Sequence, residues 1–347
     1  MTVKLELISH HAQRQVFPLP LLFVHGANAG AWVWEEHFLP FFARHGYNAH
    51  ALSLRGHGKS SGAEALRWTS LADYKADLAQ AIEQLGGAAV LIGHSMGATV
   101  ILKYLQKQQA SAAVLMAPVP VEGVLESSLL LAWRDPGLFW EMSLVQAVGP
   151  AAGSHAAMRR ALFANSTPDS LIRPYLKHGQ AESPRVIVDM MGLDLPRVDR
   201  ILTTCAAMPF LVCGAEQDAL FPRRLVQETA QALGAVTRFF PMGHAMMLEP
   251  NWEEASTCIH QWLQTLGLSS VAANNDETSG ESLEKQDEDP RGVPENALPE
   301  NVLPSDSLPS AISEALPAVN EVPSGGKKIG KRKNKRRKPV PVGKQQG

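Results

Sequence analysis

Three side chains, Ser95, Asp218 and His244, have the types and the chain order that acyl transfer requires. Ser95 is the centre of GHSMG at 93–97, after an apolar run from Ala88 to Ile92 and before a helix-like run from Ala98 to Leu105. A serine between two glycines at a strand-to-helix turn reads as a nucleophile elbow. The turn strains the serine backbone, so the positions two residues away must lack colliding side chains. In return the hydroxyl stands at a helix N-terminus, where free backbone N–H groups can face an oxyanion. Asp218 follows the apolar run PFLVC at 209–213, and His244 follows the run from Val236 to Phe240. In such a set the histidine takes the serine proton and returns it to the leaving group. The aspartate fixes the imidazole tautomer and stabilises its charged form. Another apolar run, Leu21 to Val24, ends in the small-residue loop HGANAG at 25–30. That loop is the candidate for bringing the N–H of Ala27 beside the nucleophile, opposite the N–H of Met96.

These residues need elements to hold them. Val3 to Ile8 alternates weakly and suits an edge strand, and Leu21–Val24, Tyr47–Leu54, Ala88–Ile92 and Ala112–Met116 suit buried strands. Helix-like stretches fall between them, Trp34 to Arg44 and Leu71 to Leu85, the latter stopped by Gly86 and Gly87. Strand and helix alternate, which predicts an α/β fold with a mostly parallel, doubly wound sheet. Ligands in such sheets bind at the carboxyl ends of the strands, where Ser95 and the HG loop both fall. The turn RGHGKS at 55–60 lacks the spacing of a phosphate-binding loop and reads as structural. Residues 119–205 break the rhythm, with helix-like pieces at Leu125–Trp133, Leu138–Val148, Ala156–Phe163 and Ser170–His178. This insertion is expected to form a helical lid between core segments 1–118 and 206–268. Its large apolar residues, such as Trp133, Trp140, Phe163, Met190 and Met191, are expected mainly in the lid's own core, with some lining the pocket. The strand and helix pattern resumes at Pro209 and closes with a helix from Trp252 to Leu266.

The chain has 347 residues, 45% of them hydrophobic and 19% charged, enough for one large domain with a proper core. Its net charge of −2 hides a cancellation within the C-terminal tail. Residues 269–326 form an acidic, Pro- and Ser-rich stretch of the kind that cannot order itself. In residues 327–347 every charged side chain is basic, and KKIGKRKNKRRK at 327–338 has nine basic residues in twelve. That end could contact nucleic acid or an acidic membrane through phosphates, or serve as a solvated tail or targeting signal. The three cysteines, Cys205, Cys213 and Cys258, sit among apolar residues and suit reduced thiols. The N-terminal residues lack the apolar core of a signal peptide, and no run is long enough to span a membrane. A cytoplasmic location is the expectation. Histidines and cysteines show no metal-ligand spacing, so neither a metal nor a cofactor is expected.

Taken together, HG at 25–26, RGHGKS at 55–60, GHSMG at 93–97, GAEQD at 214–218 and GHAMMLE at 243–249 resemble the α/β-hydrolase superfamily over residues 3–267. HGANAGAWVW at 25–34 also looks like the methylesterase and hydroxynitrile-lyase branch. The resemblance implies Asp218 rather than Glu216 as the acid, and a serine branch rather than the epoxide-hydrolase or dehalogenase branches. It departs at Ser53, where the family often carries Asp. Three functions are open at this point. The first is hydrolysis of a carboxylic ester or thioester with an apolar acyl group. The second is C–C bond hydrolysis or a lyase reaction on the same triad. The third is a binding module that docks through its tail.

Overall fold

The computed structural model describes residues 3–267 of the chain. Seven strands form one sheet: β1 (Glu6–His10), β2 (Leu21–Val24), β3 (Ala49–Ser53), β4 (Val90–His94), β5 (Ala112–Met116), β6 (Phe210–Ala215) and β7 (Val236–Phe240). Their order is β1-β3-β2-β4-β5-β6-β7. β1 pairs antiparallel with β3, Ile8 opposite Ala51, and every other pairing is parallel. Strands β2 to β6 are buried along their whole length, as a parallel sheet covered on both faces demands.

Alternate residues supply the two halves of the core. Phe23, Val90, Ile92 and Val114 point to one face and meet Trp34, Phe38, Phe42, Ile259 and Leu263. Leu22, Val24, Leu91 and Leu115 point to the other and meet Leu78, Val100, Leu102 and Val226. The first group of helices is α1 (Trp32–Glu35), α2 (Phe38–Arg44) and, at the end of the chain, α12 (Trp252–Thr265). The second is α3 (Leu71–Gln84), α4 (Met96–Leu105) and α11 (Arg223–Ala232). Helix α3 begins with a reciprocal capping box between Ser70 and Asp73 and stops at Gly86 and Gly87, both at positive φ.

The single helix expected over Trp34 to Arg44 is two helices. Pro40 lies in the first turn of α2, so its ring would collide with the carbonyl of residue 36 if the helix ran through. Between β5 and β6 lie α5 (Leu125–Arg134), α6 (Pro136–Val148), α7 (His155–Leu162) and α8 (Asp169–Leu176), the four stretches read from sequence. They are followed by α9 (Pro184–Val188) and α10 (Val198–Thr204), too short to show a period. The large apolar residues of this insertion divide. Phe163 and Met190 are buried, whereas Trp133 is 82% and Trp140 63% exposed, and Met191 is also exposed. Leu125, Leu129 and Trp133 recur every fourth residue, so they share the outer side of α5. Among the described residues no helix is long and apolar enough to cross a membrane. The acidic 269–326 stretch and the basic 327–338 stretch lie outside the described residues.

Candidate active site

Ser95 leaves β4 and heads α4 with φ +52° and ψ −117°, a conformation that L-residues rarely adopt. Its glycine neighbours explain why the strain is tolerated. A Cβ on Gly97 would lie 2.4 Å from the Val24 carbonyl oxygen and 2.6 Å from that of His25. A Cβ on Gly93 would lie 2.7 Å from the backbone of Gly97. The Ser95 N–H donates to the Met116 carbonyl at 2.9 Å, tying the turn to the end of β5. Met96 is the first residue of α4, so its N–H has no intrahelical acceptor.

Asp218 and His244 lie in the turns after β6 and β7 and meet in a short contact. His244 Nδ1 donates to Asp218 Oδ2 at 2.7 Å, and both side chains are buried. The other oxygen, Oδ1, accepts the N–H groups of Leu220 at 2.8 Å and Phe221 at 2.9 Å. The carboxylate is thereby fixed from its own loop, and it orients the imidazole through Nδ1. Phe221 packs edge-on against the His244 ring at 5.3 Å.

His94 links this pair to the serine. Its Nε2 donates to the His244 carbonyl at 2.9 Å, and the two rings lie 4.8 Å apart. Burial, with His244 and His25 nearby, holds the His94 imidazole well below its usual pKa. Among the described residues no hydrogen bond joins the Ser95 hydroxyl to His244.

The HG loop lies against the same serine. A Cβ on Gly26 would lie 3.1 Å from Ser95 Cβ and 2.7 Å from His94 Nδ1, so only glycine permits this approach. The Ala27 N–H donates to no group among the described residues. His25 is wholly buried, its Nδ1 donating to the Gly26 carbonyl at 2.8 Å and its Nε2 accepting the Leu54 N–H at 3.1 Å. Burial and the neighbouring His57 push its pKa down to about 3. Ser53 has a structural role: its hydroxyl accepts the Ala31 N–H at 2.9 Å and donates to Glu6 at 2.7 Å.

Two buried glutamates bind the insertion to these loops, and sequence reasoning missed the roles of both. Glu249 Oε1 accepts the N–H of Gly243 at 2.8 Å and of Ala164 at 2.6 Å, while its Oε2 accepts the Thr167 hydroxyl. It therefore joins the turn before His244 to the chain after α7. A Cβ on Gly243 would lie 2.4 Å from the Phe163 backbone, which leaves glycine alone able to sit there. Glu182 bridges Tyr74, Asn28 and His57. Nothing in sequence separates such a glutamate from a solvated one, because its partners lie 108 and 154 residues away. Asp189 is buried, accepting the N–H of Leu71, the first residue of α3, and pairing with Arg185. Cys205 and Cys213 are buried and Cys258 is half-buried, all three as free thiols. Among the described residues no cluster of three or more His, Cys, Asp or Glu is placed to hold a metal ion.

Residues 21–254 match the alpha/beta hydrolase family. A non-heme chloroperoxidase of Streptomyces lividans is 36% identical over 106 residues, which cover 29% of this chain and 37% of that protein. A non-heme haloperoxidase of Rhodococcus erythropolis is 32% identical over 105 residues, with the same coverage of 29% and 37%. The chain thus spans little more than a third of the length of these curated relatives. Among solved structures, a thermophilic esterase from Thermogutta terrifontis aligns with a TM-score of 0.58 and 20% identity, covering 76% of this chain and 94% of that one. A bromoperoxidase from Bacillus anthracis aligns with a TM-score of 0.59 and 19% identity, covering 76% and 96%. At such identities these two likenesses concern the fold alone. With the family match running from β2 into α12, this chain belongs to the alpha/beta hydrolase family.

Proposed function

We propose that the protein is a cofactor-independent serine hydrolase acting on a carboxylic ester or thioester. The observation that carries this reading is the fixed Asp218–His244 pair at 2.7 Å, with His94, the residue before a serine held at φ +52°, donating to the His244 carbonyl at 2.9 Å. Ser95 attacks the acyl carbonyl while His244 Nε2 takes its proton, and Asp218 stabilises the imidazolium that results. The N–H groups of Ala27 and Met96 hold the oxyanion of the tetrahedral intermediate. His244 then protonates the leaving group, and water, activated by the same imidazole, releases the acid from the acyl-enzyme. The helices of residues 119–205 act as a lid whose inner side selects the acyl group, tied to the site by Glu182 and Glu249.

A short-chain p-nitrophenyl ester and a fluorophosphonate probe test this directly. The wild-type protein hydrolyses the ester and is labelled at Ser95, whereas Ser95→Ala does neither. A folded wild-type protein that neither turns over nor labels refutes the proposal.

A further inference from the structure

The buried carboxylate of Glu182 stands outside the chemistry just described, yet it touches the loop that this chemistry depends on. Its Oε1 accepts the Tyr74 hydroxyl at 2.5 Å and the Ser183 N–H at 2.7 Å. Its Oε2 accepts the Asn28 N–H at 3.3 Å and lies 3.3 Å from His57 Nε2 in an ion pair buried on both sides. One side chain of the insertion therefore meets α3, the turn after β3 and the loop after β2.

Asn28 immediately follows Ala27 and sits at φ +62°, a strained backbone that persists only where its surroundings hold it. Gln146 of α6 donates to Asn28 Oδ1 at 3.2 Å, and the segment around Glu182 supplies the other contacts. Asn28 Nδ2 donates to the Gln180 carbonyl at 3.0 Å, and the Gln180 N–H donates to the Asn28 carbonyl at 2.9 Å. Gln180 Oε1 also accepts the Gly58 N–H at 2.7 Å. On the other side of the loop, His25 packs on His57 with ring centroids 5.1 Å apart, so Glu182 braces both ends of residues 25–28. Burial works against charge on either partner. The opposite charges and the surrounding hydrogen bonds overcome it, raising the His57 pKa and lowering that of Glu182.

We propose that Glu182 is the positioning residue that holds the 25–28 loop, and with it the Ala27 N–H, against Ser95 for oxyanion binding. This rests on the reading of Ser95 as nucleophile. It also makes the insertion a condition of catalysis, because the loop is in place only while the segment carrying Glu182 is docked.

Glu182→Gln tests it while keeping the side-chain shape. The single amide oxygen stays with the Tyr74 and Ser183 donors, which leaves an NH2 group facing the Asn28 N–H. Amide hydrogen exchange of the peptide covering residues 25–30 should quicken at least tenfold. In ester hydrolysis kcat should fall about 10- to 100-fold, the range for a displaced oxyanion donor, with KM within about twofold. Unchanged exchange overturns the proposal, and so does quicker exchange with kcat intact or a rise in KM alone. A folded wild-type protein that neither hydrolyses the ester nor takes the fluorophosphonate label refutes the Ser95 reading instead, and the exchange measurement then decides the positioning role by itself. If Glu182→Gln does not fold, His57→Gln removes the same brace from its other partner, and the same two readouts apply.

Discussion

Replacing Asp218 by asparagine should abolish most turnover without unfolding the protein, and the geometry says why. Asp218 Oδ1 accepts two backbone N–H groups, from Leu220 and Phe221, and only an oxygen can replace it there. The substituted amide must therefore keep its oxygen on those donors and turn its NH2 toward His244 Nδ1, which lies 2.7 Å from the present carboxylate oxygen. An NH2 facing Nδ1 requires that nitrogen to be bare, so the imidazole proton moves to Nε2. The ring then presents a donor to Ser95 and cannot accept its proton. In a serine protease triad the equivalent change lowers kcat about 10⁴-fold, which corresponds to about 5.5 kcal/mol of lost transition-state stabilisation. We expect a loss of about 10³- to 10⁴-fold in kcat on a p-nitrophenyl ester, with KM little changed. Thermal melting should stay within a few degrees of wild type, because the two backbone donors remain satisfied. Asp218→Ala is the contrast, since it leaves both donors unpaired at about 1–3 kcal/mol each and should melt clearly lower. A folded Asp218→Asn variant that keeps kcat within about tenfold of wild type refutes the tautomer argument.

Other expectations follow from the same loops. Gly97→Ala would place a Cβ 2.4 Å from the Val24 carbonyl oxygen, and such overpacking costs about 1–3 kcal/mol or more. Denaturant unfolding should show that loss, together with weaker fluorophosphonate labelling. His25 stays neutral to about pH 3 when folded but titrates near 6.5 when unfolded, so unfolding takes up a proton between those values. Its contribution is complete above about pH 6.5 and is lost as the pH falls toward 3, by up to about 1.4 kcal/mol per unit. Urea unfolding from about pH 7 to 4 should be less steep on pH in His25→Gln than in wild type. The His57–Glu182 pair works in the opposite sense at higher pH. His57 has a raised pKa, so its share is present below pH 6.5 and is lost as the pH rises through the folded value. Unfolding measured from about pH 6 to 9 should show a decline that Glu182→Gln removes.

The sheet could be read from the chain because buried parallel strands are short, continuous apolar runs. Leu21–Val24 and Ala112–Met116 stand in the structure at the bounds expected. Glycine made the site's turns legible too. Gly26, Gly93, Gly97 and Gly243 are each required by a backbone or side chain within 3 Å of the missing Cβ. The insertion was less legible. Its helices α9 and α10 are five and seven residues long, below the length at which a 3.6-residue period shows. The exposure of Trp133 and Trp140 could not be read either, since which side of a helix is covered depends on its neighbours.

By itself the sequence determined the alternation of strands and helices, the elbow at Ser95 and the family, because local sterics and hydrophobic period are written in adjacent residues. Only the tertiary structure decided which buried charges matter. Glu249 meets Ala164 across 85 residues, and Glu182 meets Asn28 across 154. A carboxylate can be taken out of water only where donors converge on it, and that convergence exists only in the folded chain.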